Sequence, residues 1–151
     1  MKINTLPLLA LLIAGTCFAT GSSQIVEADL KLGGIAIGSS ETEMIKILGK
    51  PITRQDTGEG FKLGYAEFDV YVDAQANRVF DIVSRNPSKC TPSKVCPGMS
   101  IRELTRAYGS PVLAVREEGS FLEYVPAGSA CWLQASVGHE VISSLRIACQ
   151  P

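Results

Sequence analysis

Few residues in this chain could do catalytic chemistry. His139 is the single histidine, in a stretch typical of a hairpin turn, where we expect it to be exposed. Asp69, Asp73 and Asp81 could gather near one hairpin, and paired carboxylates can transfer protons, but the pattern favours acids on a solvated strand face. The sequence contains no Gly-x-Ser-x-Gly elbow, phosphate loop or His-Glu-x-x-His motif. We therefore predict a protein that is not an enzyme and needs no cofactor.

The cysteines indicate an oxidising compartment. Beyond Cys17 there are four, an even number that in an exported chain predicts two disulfides. Three pairings are open. We favour Cys90–Cys96, which closes a small loop, and Cys131–Cys149 across a terminal hairpin. The alternative is a four-cysteine zinc site, which the lack of any C-x-x-C pair disfavours. We predict no metal.

The first residues have the features of a secretory signal peptide, which we assign to residues 1–21. A lysine precedes the apolar run LPLLALLIAG, and small residues follow it. Cleavage after Ala19 or after Gly21 fits equally well. Cys17, in IAGTC, leaves open a lipid anchor, although Thr16 departs from the usual pattern. We predict a periplasmic or secreted protein without a transmembrane segment, since no second apolar stretch is long enough.

The charge of the chain disfavours one class of partner. Removal of the leader takes away one lysine and no acid, so the formal charge of the mature chain is 13 − 15 = −2. No basic patch or run occurs, which argues against nucleic acid.

Two segments share one helical pattern at a spacing of 60 residues, which indicates an internal repeat. Serine can cap each helix, and glutamate three residues later can close a capping box. Glycine and then proline end each helix. The matched pairs are Gly38 and Gly98, Ser40 and Ser100, Glu43 and Glu103, Gly49 and Gly109, and Pro51 and Pro111. The apolar stripes are Met44, Ile47 and Leu48 in the first helix and Ile101, Leu104 and Tyr108 in the second.

Antiparallel strands should follow each helix. FDVYVD alternates between apolar and polar residues, and RVFDIVS returns after a turn. The second half predicts two hairpins, the last formed by ACWLQAS and VISSLRIAC. We therefore predict an α+β protein of two tandem repeats, residues 22–87 and 88–151. Each repeat would be a short helix packed on a three- or four-stranded antiparallel sheet, with two disulfides in the chain.

Aromatic residues on the strands are the candidate binding residues, because protein interfaces favour them. Tyr71 shares a strand face with Asp69 and Asp73, so we expect it to be exposed. Trp132 aligns with Val70 on the core face, which favours core packing. The sequence does not settle which way the other three point. The candidate binding surface comprises Tyr65, Tyr71, Phe121, Tyr124 and Trp132.

The duplicated segments GSSETEMIKILGKP and GMSIRELTRAYGSP, in an exported chain with two disulfides, resemble the β-lactamase inhibitor protein family. The resemblance implies tandem units of a helical segment on a four-stranded sheet, whose surface grips a partner enzyme. One unit alone is also similar to the small lipoprotein of the outer-membrane β-barrel assembly machinery. The resemblance extends loosely over residues 35–149. It carries over no contact residue, because the strands share no motif with the family.

Three functions follow as hypotheses. The first is a non-enzymatic exported protein-binding module, in its narrower form an enzyme inhibitor acting through a sheet surface. The second is a cell-envelope structural or assembly factor, tethered through Cys17. The third is a carrier of a small ligand between the two sheets, which needs an apolar cavity. The sequence identifies neither the protein partner nor the oligomeric state, including pairing through sheet edges.

Overall fold

A computed structural model describes residues 24–150 of the chain. The predicted signal peptide, its cleavage sites and Cys17 lie outside the described residues. The elements, in chain order, are a 3-10 turn (Glu27–Asp29), β1 (Lys31–Leu32), β2 (Ile35–Ala36), α1 (Glu41–Leu48), β3 (Thr53–Asp56), β4 (Gly60–Tyr65), β5 (Phe68–Asp73), β6 (Val79–Ser84), α2 (Ile101–Tyr108), β7 (Val112–Arg116), β8 (Gly119–Tyr124), β9 (Cys131–Gly138) and β10 (Val141–Cys149).

Strands β3 to β10 form one antiparallel sheet in the order β3-β4-β5-β6-β10-β9-β8-β7. The α+β class and the antiparallel strands are confirmed. The separate sheets that we expected are joined into one, because β6 and β10, the last strands of the two halves, pair with each other. Leu145 lies opposite Ser84 and Ile147 opposite Ile82 in this central pairing.

Both helices begin and end as their cap residues predict. The Ser40 hydroxyl accepts a hydrogen bond from the Glu43 N–H at 3.2 Å, while the Ser40 N–H donates to the Glu43 carboxylate at 2.8 Å. The bonds in α2 are equivalent. Gly49 and Gly109 end the helices at φ values of 81° and 77°, which a residue without Cβ adopts easily.

The buried stripe of α1 differs from the prediction at one residue. Met44 is fully buried and Ile45 and Leu48 pack against the core, but Ile47 is 54% exposed. At 100° per residue, the centre of this stripe lies on the far side of Met44 from Ile47. An eight-residue helix contacts the sheet along a narrow line, so Ile47 is left outside it.

One core fills the space between the helices and one face of the sheet. A row of buried residues crosses the sheet in register on that face. From β4 to β8 this row is Leu63, Val70, Ile82, Ile147, Leu133 and Tyr124, all fully buried. Burial of apolar side chains such as these is the main driving force for folding.

Both predicted disulfides are confirmed. Cys90 is bonded to Cys96, which closes the loop before α2. Cys131 is bonded to Cys149, and these two residues lie opposite each other where β9 begins and β10 ends. Among residues 24–150, no helix is long and apolar enough to cross a membrane.

Candidate binding surface

Side chains alternate along a strand, so every second residue points to the face opposite the core. We call this opposite side the open face, because α1 and α2 both lie on the core side. Its central residues fall in two rows that cross the sheet in register. The first row contains Asp69, Val83, Arg146, Gln134 and Glu123; the second contains Lys62, Tyr71, Asp81, Ala148 and Trp132.

Asp81 and Arg146 form an ion pair at the centre of the open face, on the two strands that join the halves. The Arg146 Nε donates to both Asp81 carboxylate oxygens, at 3.0 and 2.9 Å, and its Nη2 also donates to Oδ2. The Asp81 side chain is 9% exposed, whereas that of Arg146 is 47% exposed. The hydrogen bond to Asp81 raises the pKa of Arg146. Because the Asp81 carboxylate is buried and the Arg146 side chain is half exposed, the guanidinium covers the carboxylate.

Glu123 is held in a similar way on β8. The Arg116 Nη2 donates to Glu123 Oε1 at 2.6 Å and its Nε donates at 3.2 Å. The Gln134 Nε2 donates to the same oxygen at 2.9 Å. Glu123 and Gln134 are both buried although they lie on the open face. Glu123 thus has two independent donors, while no second side chain within residues 24–150 donates to Asp81.

Asp69 is the third buried acid of the open face. Lys62 Nζ lies 3.2 Å and Arg85 Nη1 lies 3.1 Å from its Oδ2. In all three clusters the carboxylate is buried beneath a longer cationic side chain. The outermost charged groups in these clusters are therefore cations, above all half-exposed arginines.

Aromatic rings lie among the ion pairs. The Tyr71 and Phe80 rings are 6.2 Å apart, and Lys62 Nζ lies 5.9 Å from the centre of the Tyr71 ring. The Arg116 guanidinium lies 5.9 Å from the centre of the Trp132 ring. The Trp132 indole nitrogen is buried and has no hydrogen-bond partner among the described residues.

Two shallow hollows on the open face share Val83 and Arg146 as lining residues. One, of about 240 Å³, extends toward Arg116 and Phe121. The other, of about 370 Å³, extends toward Tyr71. Arg146 therefore separates two recesses, each of which combines an aromatic ring with a guanidinium.

The structure divides the five aromatic residues of the predicted binding surface. Tyr71, Phe121 and Trp132 lie on the open face and are partly exposed. Tyr65 and Tyr124 lie on the core face. Tyr124 is fully buried, so its assignment to a binding surface is wrong. Burial raises the pKa of Tyr124 to about 12.

The two core-face tyrosines have a structural role. The Tyr65 hydroxyl donates to the carbonyl of Gly49 at 3.2 Å, and the Tyr124 hydroxyl donates to the carbonyl of Gly109 at 3.3 Å. Each ties the end of a helix to the sheet. Such carbonyls otherwise lack a partner.

The expected core position of Trp132 is wrong. Val70 shares its core row with Leu133, so Trp132 lies one position off that row. A shift of one residue moves a side chain to the opposite face of a sheet. The sequence alignment of the two halves matched Trp132 with Val70, and this error assigned the Trp132 side chain to the wrong face of the sheet.

The expectation of solvated acids on the strands is also wrong for Asp69 and Asp81, which are 8% and 7% exposed and ion-paired. Asp73 instead accepts hydrogen bonds from the N–H groups of Gln75 and Ala76 in the β5–β6 turn. His139 is an exposed turn residue, as predicted. Among residues 24–150, no group of three or more His, Cys, Asp or Glu side chains is placed to hold a metal ion.

The sequence reasoning missed the arginines. Arg85, Arg116 and Arg146 are the exposed partners of buried acids, and none was proposed as a site residue. Leu145 and Ile147 are both buried on the core face. Because side chains alternate along a strand, Arg146 between them lies on the open face. Its partner Asp81 is 65 residues away, and only the sheet pairing identifies it.

Comparisons with known proteins bear on the fold. No family model matches the sequence, and a search of curated proteins finds no match. A solved structure of an extracellular protein containing a SCP domain, from Bacillus anthracis str. Ames, matches with a TM-score of 0.56 and 11% sequence identity. The match covers 92% of this chain and 50% of that one, so this chain spans about half its length. At this identity the likeness concerns the fold.

Proposed function

We propose that this protein is an exported, non-enzymatic binding module that grips a protein partner with the open face of its sheet. The observation that carries the proposal is the open face itself, an eight-stranded surface whose acids are buried beneath half-exposed arginines and interleaved with aromatic rings. Arginine, tyrosine and tryptophan dominate the binding energy of protein interfaces.

The guanidiniums of Arg146 and Arg116 are held in fixed positions on the open face. Arg146 and Arg116 each use Nε and Nη2 to bind the carboxylate beneath them. Their Nη1 groups have no partner among residues 24–150. Because the buried acids fix both guanidiniums, a partner loses less side-chain entropy when it binds them. A partner loop with carboxylates beside an apolar side chain suits these guanidiniums and the adjacent rings.

The same ion pairs support a role other than catalysis. A general base needs a lone pair that is available to a substrate proton. The carboxylates of Asp81, Glu123 and Asp69 are buried and ion-paired beneath longer cationic side chains, which limits the access of a substrate to them. The narrower proposal, an inhibitor of an enzyme, adds only that the partner is an enzyme.

Affinity capture with three baits tests the proposal. The baits are the wild type, a Tyr71→Ala/Phe121→Ala variant of the open face, and an Ile47→Ala control on the exposed side of α1. Envelope and culture fractions are passed over each under native conditions. A partner should bind the wild type and the control. Loss of two interface aromatics should weaken its binding at least about tenfold, as measured by calorimetry.

Two results would count against this function. The first is recovery of no protein by the wild type from any fraction. The second is a partner that binds the open-face variant as tightly as the control. Circular dichroism of all three baits checks that each is folded.

Export is supported by the two disulfides, which form and persist in oxidising compartments. The alternative function, a cell-envelope structural or assembly factor, depends on a lipid at Cys17, which lies outside the described residues. It stays a prediction. Mass spectrometry of the mature N-terminus separates the two: a chain that begins at Thr20 or Ser22 has no anchor at Cys17.

We also propose that the two halves are tandem copies of one unit. Each is a capped eight-residue helix followed by four antiparallel strands, and each ties its helix end to the second of these strands through a tyrosine hydroxyl. Homologous sequences test this: the cap serine and glutamate and the terminal glycine should recur at one spacing in both halves. Loss of this spacing across relatives would contradict a duplication.

The third hypothesis, a carrier that holds a small ligand between two sheets, is less well supported. A carrier with its ligand between two sheets needs two sheets that face each other, whereas β3 to β10 form one sheet. The core side of that sheet is filled by buried side chains from both helices.

A further inference from the structure

The two edges of the sheet differ in their side chains. The β3 edge carries Thr53, Arg54, Gln55 and Asp56, all polar and all exposed. Arg54 is bound to Glu41 at 2.6 Å. Its guanidinium also lies 3.5 Å from the centre of the Phe61 ring. Charged side chains along an edge strand discourage pairing with another chain.

The β7 edge lacks such protection. Val112, Leu113 and Val115 are 64%, 65% and 75% exposed, and the only charge in the strand is Arg116 at its end. An apolar edge strand presents unpaired backbone groups together with side chains that gain from burial.

The β7–β8 hairpin determines which backbone groups face outward. Arg116 lies opposite Gly119 across a two-residue turn. Such a turn makes that pair a hydrogen-bonded one, and the pattern then alternates along the hairpin. The N–H and C=O groups of Leu113 and Val115 therefore point away from β8, toward the free edge.

These groups are self-complementary. If β7 meets a second β7 antiparallel about a two-fold axis at Ala114, Leu113 of each copy lies opposite Val115 of the other. Each such pair exchanges two backbone hydrogen bonds, and the two pairs together satisfy the four outward groups of each copy. An axis at Leu113 would instead set Val115 opposite Pro111, which has no N–H to donate.

The side chains fit the same register. On the core side, two leucines and two valines meet across the axis. On the open face, Val112 of one copy lies opposite Arg116 of the other, and Ala114 lies opposite itself. No charge faces a like charge in β7, so the pairing carries no direct repulsion.

We propose that the protein forms a two-fold homodimer through antiparallel β7–β7 pairing centred on Ala114. The dimer extends the sheet continuously across both copies and sets their open faces side by side. It stands independently of the proposed function. The interface is a single strand on each side, smaller than a standard interface of about 1,600 Å². The dimer is therefore weak, and its dissociation should be followed from about 1 μM to about 1 mM.

Sedimentation equilibrium of the wild type and single variants tests the proposal. Leu113→Lys or Val115→Glu places a charge opposite an apolar side chain, and each should weaken dimerisation at least about tenfold. Ile52→Lys at the other edge is the matched control, since Ile52 is 73% exposed. It should leave dimerisation unchanged. All three substituted positions are exposed, so the variants should keep the wild-type thermal unfolding midpoint.

Mixing the two variants tests the register. An equimolar mixture of Leu113→Lys and Val115→Glu chains should form heterodimers, because the new lysine and glutamate face each other at one pair and valine faces leucine at the other. A wild type that stays monomeric up to about 1 mM would overturn the proposal. So would dimerisation unaffected by either variant, or a mixture that does not associate.

Discussion

The Asp81–Arg146 pair gives the sharpest test of how the open face is built. Arg146→Met keeps most of the aliphatic stem and removes the guanidinium that covers Asp81. Removing one partner of a fully buried pair costs about 3–5 kcal/mol, while exposed pairs are worth about 0–1 kcal/mol. The carboxylate is buried but the arginine is half exposed, so water can reach Asp81 once the guanidinium is gone. We therefore expect a loss of about 2 kcal/mol in the free energy of unfolding.

Arg116→Met is the matched comparison. Its partner Glu123 is buried to a similar extent but keeps the hydrogen bond from Gln134. One remaining donor spares part of the desolvation penalty, so this variant should lose about 1 kcal/mol. The difference between the two variants measures what a second donor contributes to a buried acid.

Urea unfolding followed by fluorescence of the single tryptophan, with disulfides intact, measures both values. With a slope of about 2 kcal/mol per molar urea, the midpoint should fall by about 1 M for Arg146→Met and by about 0.5 M for Arg116→Met. Because Trp132 lies beside Arg116, circular dichroism must give the same midpoints. Equal losses, or a larger loss for Arg116→Met, would refute the reasoning from donor number and burial.

Other predictions follow from the caps, the tyrosines and one turn. Hydrogen bonds from the backbone N–H and hydroxyl of Ser40 and Ser100 lower the pKa values of Glu43 and Glu103 below 4.5; their contribution is present above the unfolded pKa, so stability should fall as pH drops below about 4.5. Glu43→Gln/Glu103→Gln should flatten that dependence in acid titrations followed by circular dichroism, and an unchanged slope would contradict the assignment. Burial raises the pKa of Tyr124 from 10.0 to about 12, so its contribution is complete below pH 10 and is lost as pH rises toward about 12. Tyr124→Phe should reduce this alkaline loss in ultraviolet-monitored titrations, and the loss that remains should come from Tyr65 and Tyr108, whose pKa values burial also raises. Glu140 has a φ of 62°, which glycine adopts with less strain. Glu140→Gly should therefore raise the free energy of unfolding by about 0.5–1 kcal/mol in urea melts. A destabilised variant would contradict this and show that the Glu140 side chain itself stabilises the fold.

The parts of the fold that local chemistry determines could be predicted from the sequence. The serine caps, the helix-ending glycines and the Cys131–Cys149 bridge each depend on residues that are close in sequence or joined by one hairpin. The β6–β10 pairing joins residues more than 60 positions apart. No local signal identifies it, and it decides that there is one sheet.

The candidate surface was predicted less well, because it depends on strand register. An alignment error of an odd number of residues exchanges the two faces of a strand, which is why Trp132 was assigned to the core. Tyr124 shows the opposite failure. An aromatic strand residue suggested a binding role, but its position in the core row and its bond to Gly109 make it structural.

Stability alone does not explain the ion pairs of the open face. Replacing a buried ion pair by apolar side chains of similar volume is often neutral or stabilising. A leucine and a methionine in place of Asp81 and Arg146 would therefore stabilise the fold about as well. What such a pair retains is a fixed guanidinium, with one nitrogen unused, between two recesses lined by aromatic rings. Apolar side chains at positions 81 and 146 would enlarge the hydrophobic patch that is exposed to solvent. The buried acids therefore keep this face polar and hold its guanidiniums in fixed positions, which is what the proposed binding role requires.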